Sequence, residues 1–483
     1  MIDTLKDEIA SLRAAMAPLE PEGAARAGLG QAALDHVLAY LDELPDGPSS
    51  WPAERAFAQK LDPEFEETGR DPAVVLDYVA TCIDRPGFTT ASPRFMGYIP
   101  GGGLFHAALG DLIAAVSNKY AGFASAGPGA VRIENATIAW LASIVGYPAT
   151  AAGTLTSGGS IANLTAIVAA RDARDAEGGG AVYTTGFVHH CIDKALHIAG
   201  RGKAPRRAIG TDTNHRMALD QLEAALAADQ AAGTKPWLVV ASAGTVDTGS
   251  VDPLAAIAGL CQRYGAWLHV DGAYGGLFTL CAEGRAALRG IELADSIALD
   301  PHKTLFLPYG TGAVLVRNGQ HLADSFSASA DYIMPVGDAG VGPSPSDLSI
   351  ELTRHFRALR LWLPLQMAGV GAFRAAQSEK LALARYFHAR LSALAGFDAG
   401  PPPDLSVVTF RYRPKAGDAD AFNDRLLRHV QDEGRVFLSG TRVNGHAMLR
   451  CAILSFRTHI EHVDAVIDAL IRGVAQVETL ADG

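Results

Sequence analysis

Cysteine is scarce in this chain of 483 residues. The five cysteines are far apart in the sequence: Cys82, Cys191, Cys261, Cys281 and Cys451. None has the CxxC spacing of a zinc or redox site, and an odd, scattered set does not form a disulfide framework. We therefore expect no metal site, and free thiols in a protein of the reducing cytoplasm.

Basic residues and long apolar runs are lacking as well. The chain has 41 Lys and Arg against 52 Asp and Glu, a formal net charge of −11, so it lacks the basic surface that neutralises nucleic-acid phosphates. The short basic cluster at residues 201–207 is interpreted as a solvated loop. Charges interrupt residues 1–16, where a signal peptide needs an apolar segment, and no apolar run reaches the roughly 18 residues of a membrane span. We expect neither nucleic-acid nor membrane partners.

Hydrophobic residues make up 48% of the chain, enough for a large core. The length is typical of two to four domains of roughly 100–200 residues each. Residues 1–85 are predicted to be helical. They begin with an apolar stripe at helical spacing, formed by Ile2, Leu5, Ile9, Leu12, Met16 and Leu19. Such a stripe is normally covered, and we expect a partner subunit to cover it.

Residues 86–375 alternate short apolar runs with helical stretches. Six of the runs are predicted to be strands buried on both faces, as in the parallel sheets of α/β domains: 153–156, 181–184, 237–241, 267–270, 296–299 and 312–316. Residues 325–346 are rich in Gly, Ser, Pro and Ala and are predicted to form a long mobile loop. A helix is predicted to follow over 350–367.

Residues 376–483 have the element order of a small α+β domain. Strands are predicted at 405–412, 436–439 and 448–455, and helices at 420–432 and 461–477.

Three segments carry residues suited to chemistry, and each follows a predicted strand. In LTSGGSIAN at 155–163, two glycines and a serine open a helix whose N–H groups and dipole can bind an anion; a tight packing turn is an equally good interpretation. In WLHVDGAY at 267–274, Asp271 ends a strand, where α/β sheets bind ligands; a helix cap is the alternative. In SIALDPHKT at 296–304, Lys303 is placed to bond covalently with a carbonyl; a surface lysine is the alternative.

Together the three segments are more specific than any one of them. A phosphate cradle, an aspartate and a lysine are the parts of a pyridoxal 5′-phosphate (PLP) site. The cradle would hold the phosphate, Asp271 would pair with the pyridinium nitrogen, and Lys303 would bond to the aldehyde carbon as an internal aldimine.

With three further segments, this chain resembles the group II PLP-dependent amino-acid decarboxylases, the family of the aromatic-L-amino-acid and glutamate decarboxylases. The further segments are SPRFMGY at 92–98, HHCIDKA at 189–195 and RHFRALRLW at 354–362. The resemblance covers residues 30–475, and DPHK placed after HVD is its most specific part.

The resemblance implies an α/β protein of PLP-dependent fold type I, which is aspartate-aminotransferase-like. It implies a dimer-swapped N-terminal helical segment at 1–85, a large PLP-binding domain with a mainly parallel sheet at 86–375, and a small C-terminal α+β domain at 376–483. The chain is then expected to be a homodimer with its active site at the subunit interface.

Site residues carry over by position. Lys303, Asp271 and His189 are implied to be catalytic, with His189 stacked on the cofactor ring. The other residues implied at the cofactor are Gly159, Ser160, Thr245, Ala273, Asp300 and His302. Those implied at the substrate are Tyr98, Ile99 and Gly101, and also Tyr120 and Phe123, which either enter from the other subunit or belong to the core. Asp300 stands where the family has asparagine, and its role is open because a carboxylate there would repel phosphate.

The implied reaction is decarboxylation of an L-amino acid, with aromatic substrates first, to the amine and carbon dioxide through an external aldimine and a quinonoid. The proton donor is open. The family's loop tyrosine would fall near Pro345, and either Tyr332 or His189 takes its place. Relatives without that tyrosine can perform oxidative decarboxylation–deamination to an aldehyde, so an aldehyde synthase is an alternative. A non-catalytic scaffold of the same fold is a third interpretation.

Overall fold

The computed structural model describes residues 1–52, 65, 67–328 and 340–481. The chain forms two compact units, residues 1–92 and residues 93–483. None of the helices within the described ranges combines the length and the apolar character of a membrane span.

The described part of the first unit is mainly helical. Its described elements are α1 (Ile2–Ala15), α2 (Gly23–Glu43), β1 (Ser50–Trp51), α3 (Pro72–Tyr78) and β2 (Gly87–Phe88), with β1 and β2 antiparallel. Asp71 caps α3 by accepting a hydrogen bond from the Ala73 N–H at 2.9 Å. The predicted stripe on α1 is exposed, at 50% for Leu5 and 61% for Leu12.

A seven-stranded sheet forms the centre of the second unit, in the order β3-β9-β8-β7-β6-β4-β5. Its strands are β3 (Ala152–Thr156), β4 (Ala181–Thr185), β5 (Arg206–Ile209), β6 (Pro236–Ser242), β7 (Trp267–Gly272), β8 (Ser296–Leu299) and β9 (Gly312–Val316). Strands β8, β7, β6, β4 and β5 are parallel, and β9 is antiparallel to both β3 and β8. The prediction of a mainly parallel, buried sheet is confirmed.

Strand β5 was not predicted, and the solvated-loop interpretation of residues 201–207 is wrong for Arg206 and Arg207. Both lie in β5, paired with β4. The Arg207 guanidinium binds the buried Asp229 carboxylate, with Nη2 and Oδ1 2.5 Å apart. The arginines belong to an edge strand whose charges are neutralised by neighbouring carboxylates.

Helices cover the sheet and connect its strands. In chain order they are α4 (Phe105–Ser117), α5 (Pro128–Val145), α6 (Gly159–Arg174), α7 (Cys191–Ile198), α8 (Leu219–Ala231), α9 (Leu254–Tyr264), α10 (Ala282–Ala287), α11 (Pro301–Thr304) and α12 (Gln320–Phe326). Every residue of β6 and β7 is buried, because helices pack on both faces of a parallel sheet.

The helix predicted over 350–367 begins seven residues later, at Arg357, as α13 (Arg357–Ser392). The preceding segment is held by side chains instead of helical hydrogen bonds. Arg354 is buried and reaches Glu134 of α5, with Nη2 and Oε1 3.1 Å apart, and Arg357 binds Glu351 at 2.7 Å. Gly369, at φ 77° and ψ 150°, kinks α13.

A four-stranded antiparallel sheet follows, in the order β10-β11-β13-β12. Its strands are β10 (Phe397–Asp398), β11 (Val407–Tyr412), β12 (Ser439–Val443) and β13 (His446–Ala452), and its helices are α14 (Ala419–Glu433) and α15 (Ile460–Ala481). The small C-terminal sheet is as predicted for the fold class. The division of the chain at 85 and 375 stays a prediction.

The strand predicted at 436–439 is wrong in position, since β12 begins where it was expected to end. Val436 and Leu438 are buried, but only Phe437 forms a bridge, to Phe95. Asn444 and Gly445 have φ of 51° and 83°, which makes them the two-residue turn of the β12–β13 hairpin.

The predicted loop at 325–346 falls largely on residues 329–339, which lie outside the described residues, as does Tyr332. Helix α12 ends at Phe326, and a short helical turn at Pro345–Asp347 follows the gap.

Candidate active site

A cavity of about 310 Å³ opens at the carboxyl ends of β4, β6, β7 and β8. This is the edge of a parallel sheet where α/β proteins bind ligands. The predicted residues among its lining are Gly159, Ser160, His189, Thr245, Asp271, Ala273, Asp300, His302 and Lys303. The structure therefore brings together the three segments that the sequence singled out.

The first segment forms the strand–turn–helix arrangement expected of an anion site. Strand β3 ends at Thr156, and α6 begins at Gly159. The first N–H groups of a helix have no partner within it, so this end of α6 presents donors to the cavity. A Cβ on Gly159 would lie 2.9 Å from Asp300 Oδ2 and 3.0 Å from the Ala273 Cβ. A side chain at position 159 would therefore force Asp300 or Ala273 to shift.

Asp271 is held by donors at the end of β7. Its Oδ1 accepts a hydrogen bond from the Ala273 N–H at 3.1 Å, and its Oδ2 accepts one from Asn163 Nδ2 at 3.3 Å. The carboxylate is 9% exposed. A buried carboxylate needs such partners, and these orient it toward the cavity.

A buried polar chain supports Asn163. His269 Nε2 lies 2.6 Å from Asn163 Oδ1 and donates to it, because a carbonyl oxygen can only accept. His269 Nδ1 then accepts from Ser296 Oγ at 2.9 Å, which accepts from Trp267 Nε1 at 2.9 Å. Burial lowers the pKa of His269 to about 4. The neutral ring thus completes a chain of donors that runs in one direction, toward Asp271.

Lys303 meets a second carboxylate. Its Nζ is 2.9 Å from Asp300 Oδ2, and Asp300 Oδ2 is also 3.6 Å from His302 Nε2. His302 Nδ1 donates to the Thr311 carbonyl oxygen at 2.7 Å. Burial lowers the pKa of His302, so its ring is neutral at neutral pH.

His189 stands between β4 and α7 at the side of the cavity. Its Nδ1 accepts a hydrogen bond from the Cys191 N–H at 3.3 Å, so the neutral ring carries its proton on Nε2. Burial lowers the pKa of this ring, and burial with the nearby Asp271 charge raises the pKa of the Cys191 thiol to about 12. The histidine is neutral and the thiol unreactive at neutral pH.

The family model of the pyridoxal-dependent decarboxylase conserved domain matches residues 56–413. The chain belongs to this family. An aromatic-L-amino-acid decarboxylase of Bacillus atrophaeus is 34% identical over 90% of this chain and 92% of its own length. A phenylacetaldehyde synthase of Arabidopsis thaliana is 28% identical over 90% of this chain and 92% of its own length. The crystal structure of Oryza sativa TDC with PLP and tryptamine has a TM-score of 0.87 and 27% identity, covering 95% of this chain and 99% of that one.

These likenesses confirm the resemblance found in the sequence. The protein is a PLP-dependent decarboxylase of fold type I, a carboxy-lyase whose cofactor is PLP. The scaffold interpretation has no support.

The geometry of this decarboxylase fits the cofactor. The end of α6 suits a phosphate, the Lys303 amine faces the same cavity, and Asp271 offers a negative charge for a protonated ring nitrogen. Asp300 is the one discordant group, since its carboxylate stands beside the phosphate position, with Oδ1 buried and without a hydrogen-bond partner.

The predicted substrate residues Tyr98, Ile99 and Gly101 are not among the described lining of the cavity. A Cβ on Gly101 would lie 2.7 Å from the His302 carbonyl oxygen, and Ile99 is buried in the core. Tyr98 stacks near Phe437, with ring centroids 6.2 Å apart. The segment borders the site through Gly101.

Tyr120 and Phe123 form a tilted ring pair between α4 and α5, with centroids 4.9 Å apart. The Tyr120 hydroxyl lies 2.9 Å from Thr353 Oγ1. Both rings are half-buried, so the core interpretation does not describe them fully, and their entry into a partner's site stays a prediction.

Asn163 is the main functional residue that the sequence reasoning missed. It stands one helical turn after Gly159, the spacing that places two residues on one face of a helix. That spacing could have indicated it. The lining residues that were not predicted are Ser157, Ile161, Phe187, Cys191, Ser242, Gly244 and Tyr274.

Proposed function

We propose that this enzyme decarboxylates an aromatic L-amino acid to its amine and carbon dioxide. The observation that carries the proposal is the convergence of Lys303, Asp271 and His189 on one cavity at the start of α6. The choice of substrate follows the relatives, among them the aromatic-L-amino-acid decarboxylase and the TDC crystallised with tryptamine.

When bound, PLP supplies an electron-withdrawing ring that accepts the electron pair of the broken C–C bond. Lys303 Nζ is the amine placed to bond with its aldehyde carbon. Asp271 keeps a negative charge where the ring nitrogen would lie, and the donors behind it hold that charge in place. Gly159 and Ser160 would present backbone N–H groups to the phosphate.

His189 is proposed to pack against the cofactor ring. Its neutral state suits that position, because an imidazolium would place a positive charge against a cationic ring. Its Nε2 carries a proton, which makes His189 one candidate to protonate the substrate α-carbon; Tyr332 is the other.

The enzyme is proposed to work as a homodimer in the cytoplasm. The exposed apolar stripe of α1 supports a partner subunit, with Tyr120 and Phe123 entering the partner's site and Tyr98, Ile99 and Gly101 bordering the substrate. The five cysteines are free and buried, which favours a reducing compartment.

A second candidate reaction is oxidative decarboxylation–deamination to an aldehyde. It is favoured by the likeness to phenylacetaldehyde synthase and by Pro345, which stands near the place of the family's loop tyrosine. The two reactions differ in their products, which are amine for the first and ammonia with peroxide for the second.

Replacement of Lys303 tests the site. We expect Lys303→Ala to lose both the visible absorbance of lysine-bound PLP and turnover, because no other amine of the described lining can bond to the aldehyde. Lys194→Ala, an exposed lysine of α7, is the matched control and should keep both. An unchanged spectrum in Lys303→Ala would refute the assignment.

A further inference from the structure

The Asp300 carboxylate occupies the position where the site should attract an anion. It is 2% exposed, and its Oδ2 stands 2.9 Å from the place of a Gly159 Cβ, at the first residue of α6. Oδ1 is buried without a hydrogen-bond partner. A negative group thus already lies against the positive end of the helix dipole.

Positive charge around Asp300 is limited. Lys303 pairs with it at 2.9 Å, while the adjacent His302 and His189 are neutral because burial lowers the pKa of each. Asp271 adds a second carboxylate to the same cavity. Among the lining residues that the structure describes, Lys303 is therefore the single lysine or arginine beside two carboxylates.

A phosphate monoester brings a charge of about −1.5 to −2 into this cavity. It would be repelled by the Asp300 carboxylate, whose Oδ2 lies beside the first residue of α6, across a short, poorly solvated gap.

We propose that Asp300 weakens cofactor binding because its carboxylate repels the cofactor phosphate at the start of α6. The enzyme then holds PLP loosely and exchanges it with the free pool. This inference rests on the proposed placement of the phosphate at Gly159 and Ser160.

The test measures binding of pyridoxamine 5′-phosphate to the apoenzyme by calorimetry. This compound carries the phosphate but no aldehyde, so it reports the phosphate position without the Lys303 bond. We expect Asp300→Asn to bind it roughly 10-fold more tightly than the wild type, because the isosteric amide removes the like charge. The affinity for pyridoxal, which has no phosphate, should increase less in the same variant. An unchanged or weaker affinity for pyridoxamine 5′-phosphate would overturn the inference.

Two controls separate the outcomes. Asp295→Asn makes the same change in a carboxylate just before β8, at the opposite end of that strand, and should leave the affinity unchanged. Asp300→Ser carries the same expectation as Asp300→Asn if the amide variant does not fold. A wild type that gains PLP absorbance while Asp300→Asn shows no tighter binding contradicts this inference alone. A wild type that binds neither compound contradicts the proposed site as well.

Discussion

At the scale of single residues, the site depends on a buried histidine that never touches the cavity. His269 is fully buried and passes hydrogen bonds from Ser296 to Asn163. A protonated ring would carry a second N–H and could no longer accept from Ser296. The neutral state of His269 therefore keeps the bond from Ser296, while Nε2–H donates to Asn163 in either protonation state.

This neutrality makes stability depend on pH. The pKa of His269 falls from 6.5 to about 4 on folding, so between these values the unfolded chain binds a proton that the folded chain does not. The contribution of His269 to folding stability is complete at pH values above the pKa of the unfolded chain. It declines as the pH falls toward the pKa of the folded chain. We expect His269 to account for a loss of about 2 kcal/mol between about pH 7 and about pH 5.

Urea unfolding at the two pH values measures this loss. His269→Gln should lose less stability on acidification than the wild type by that amount. His446→Gln, which replaces an exposed histidine of the small sheet, should behave as the wild type does. Equal losses in the wild type and His269→Gln would contradict the account.

At the scale of elements, the start of α6 carries the tightest steric requirement of the site. A methyl group at position 159 would meet Asp300 and Ala273 at or below 3.0 Å. We expect Gly159→Ala to weaken PLP binding by roughly 10- to 100-fold, since overpacking costs about 1–3 kcal/mol. Titration of the apoenzyme with PLP measures this affinity.

Gly129 offers the matched control for this substitution. It lies in the first turn of α5, and a Cβ there would have no atom within 4 Å. Gly129→Ala should leave PLP affinity as it is. If Gly159→Ala bound PLP as tightly as Gly129→Ala, the placement of the phosphate at α6 would be wrong.

Strands buried on both faces were predictable because their sequences are continuous apolar runs. All six predicted strands of the large sheet are present, from β3 to β9. Strand β5 was not predicted, because it lies at the edge of the sheet and its two arginines interrupt the apolar pattern. The sequence places the start of β12 too early because Val436 and Leu438 are apolar at alternating positions, which is typical of a strand, although Asn444-Gly445 marks the hairpin turn.

The site was predictable to the extent that its chemistry is local in sequence. Asp271 lies at the end of a strand, Gly159 and Lys303 follow strands within four residues, and neighbouring strands bring these positions to one edge of the sheet. The hydrogen-bonded chain behind Asn163 depends on contacts between α6, β7 and β8, which no local pattern contains. The pairing of Asp300 with Lys303 likewise needed coordinates.

At the scale of the whole molecule, the apolar stripe of α1 bears on assembly. Ile9 and Leu12 are 63% and 61% exposed, and apolar patches of this kind are typical of interfaces. We expect Leu12→Glu to weaken the proposed homodimer, shifting it toward monomer in sedimentation velocity experiments. Ala14→Glu adds the same charge to the opposite face of α1 and should not weaken the homodimer. A wild type that is monomeric throughout would refute the dimer.

The products of the reaction show whether the enzyme decarboxylates an aromatic amino acid to its amine. Purified enzyme with PLP is given a panel of the common L-amino acids, and carbon dioxide, amine, ammonia and peroxide are measured together. If the enzyme decarboxylates its substrate to the amine, we expect carbon dioxide with an equal amount of amine from an aromatic amino acid, and no peroxide. Ammonia and peroxide in place of the amine would contradict it and assign the chain to the aldehyde-forming reaction.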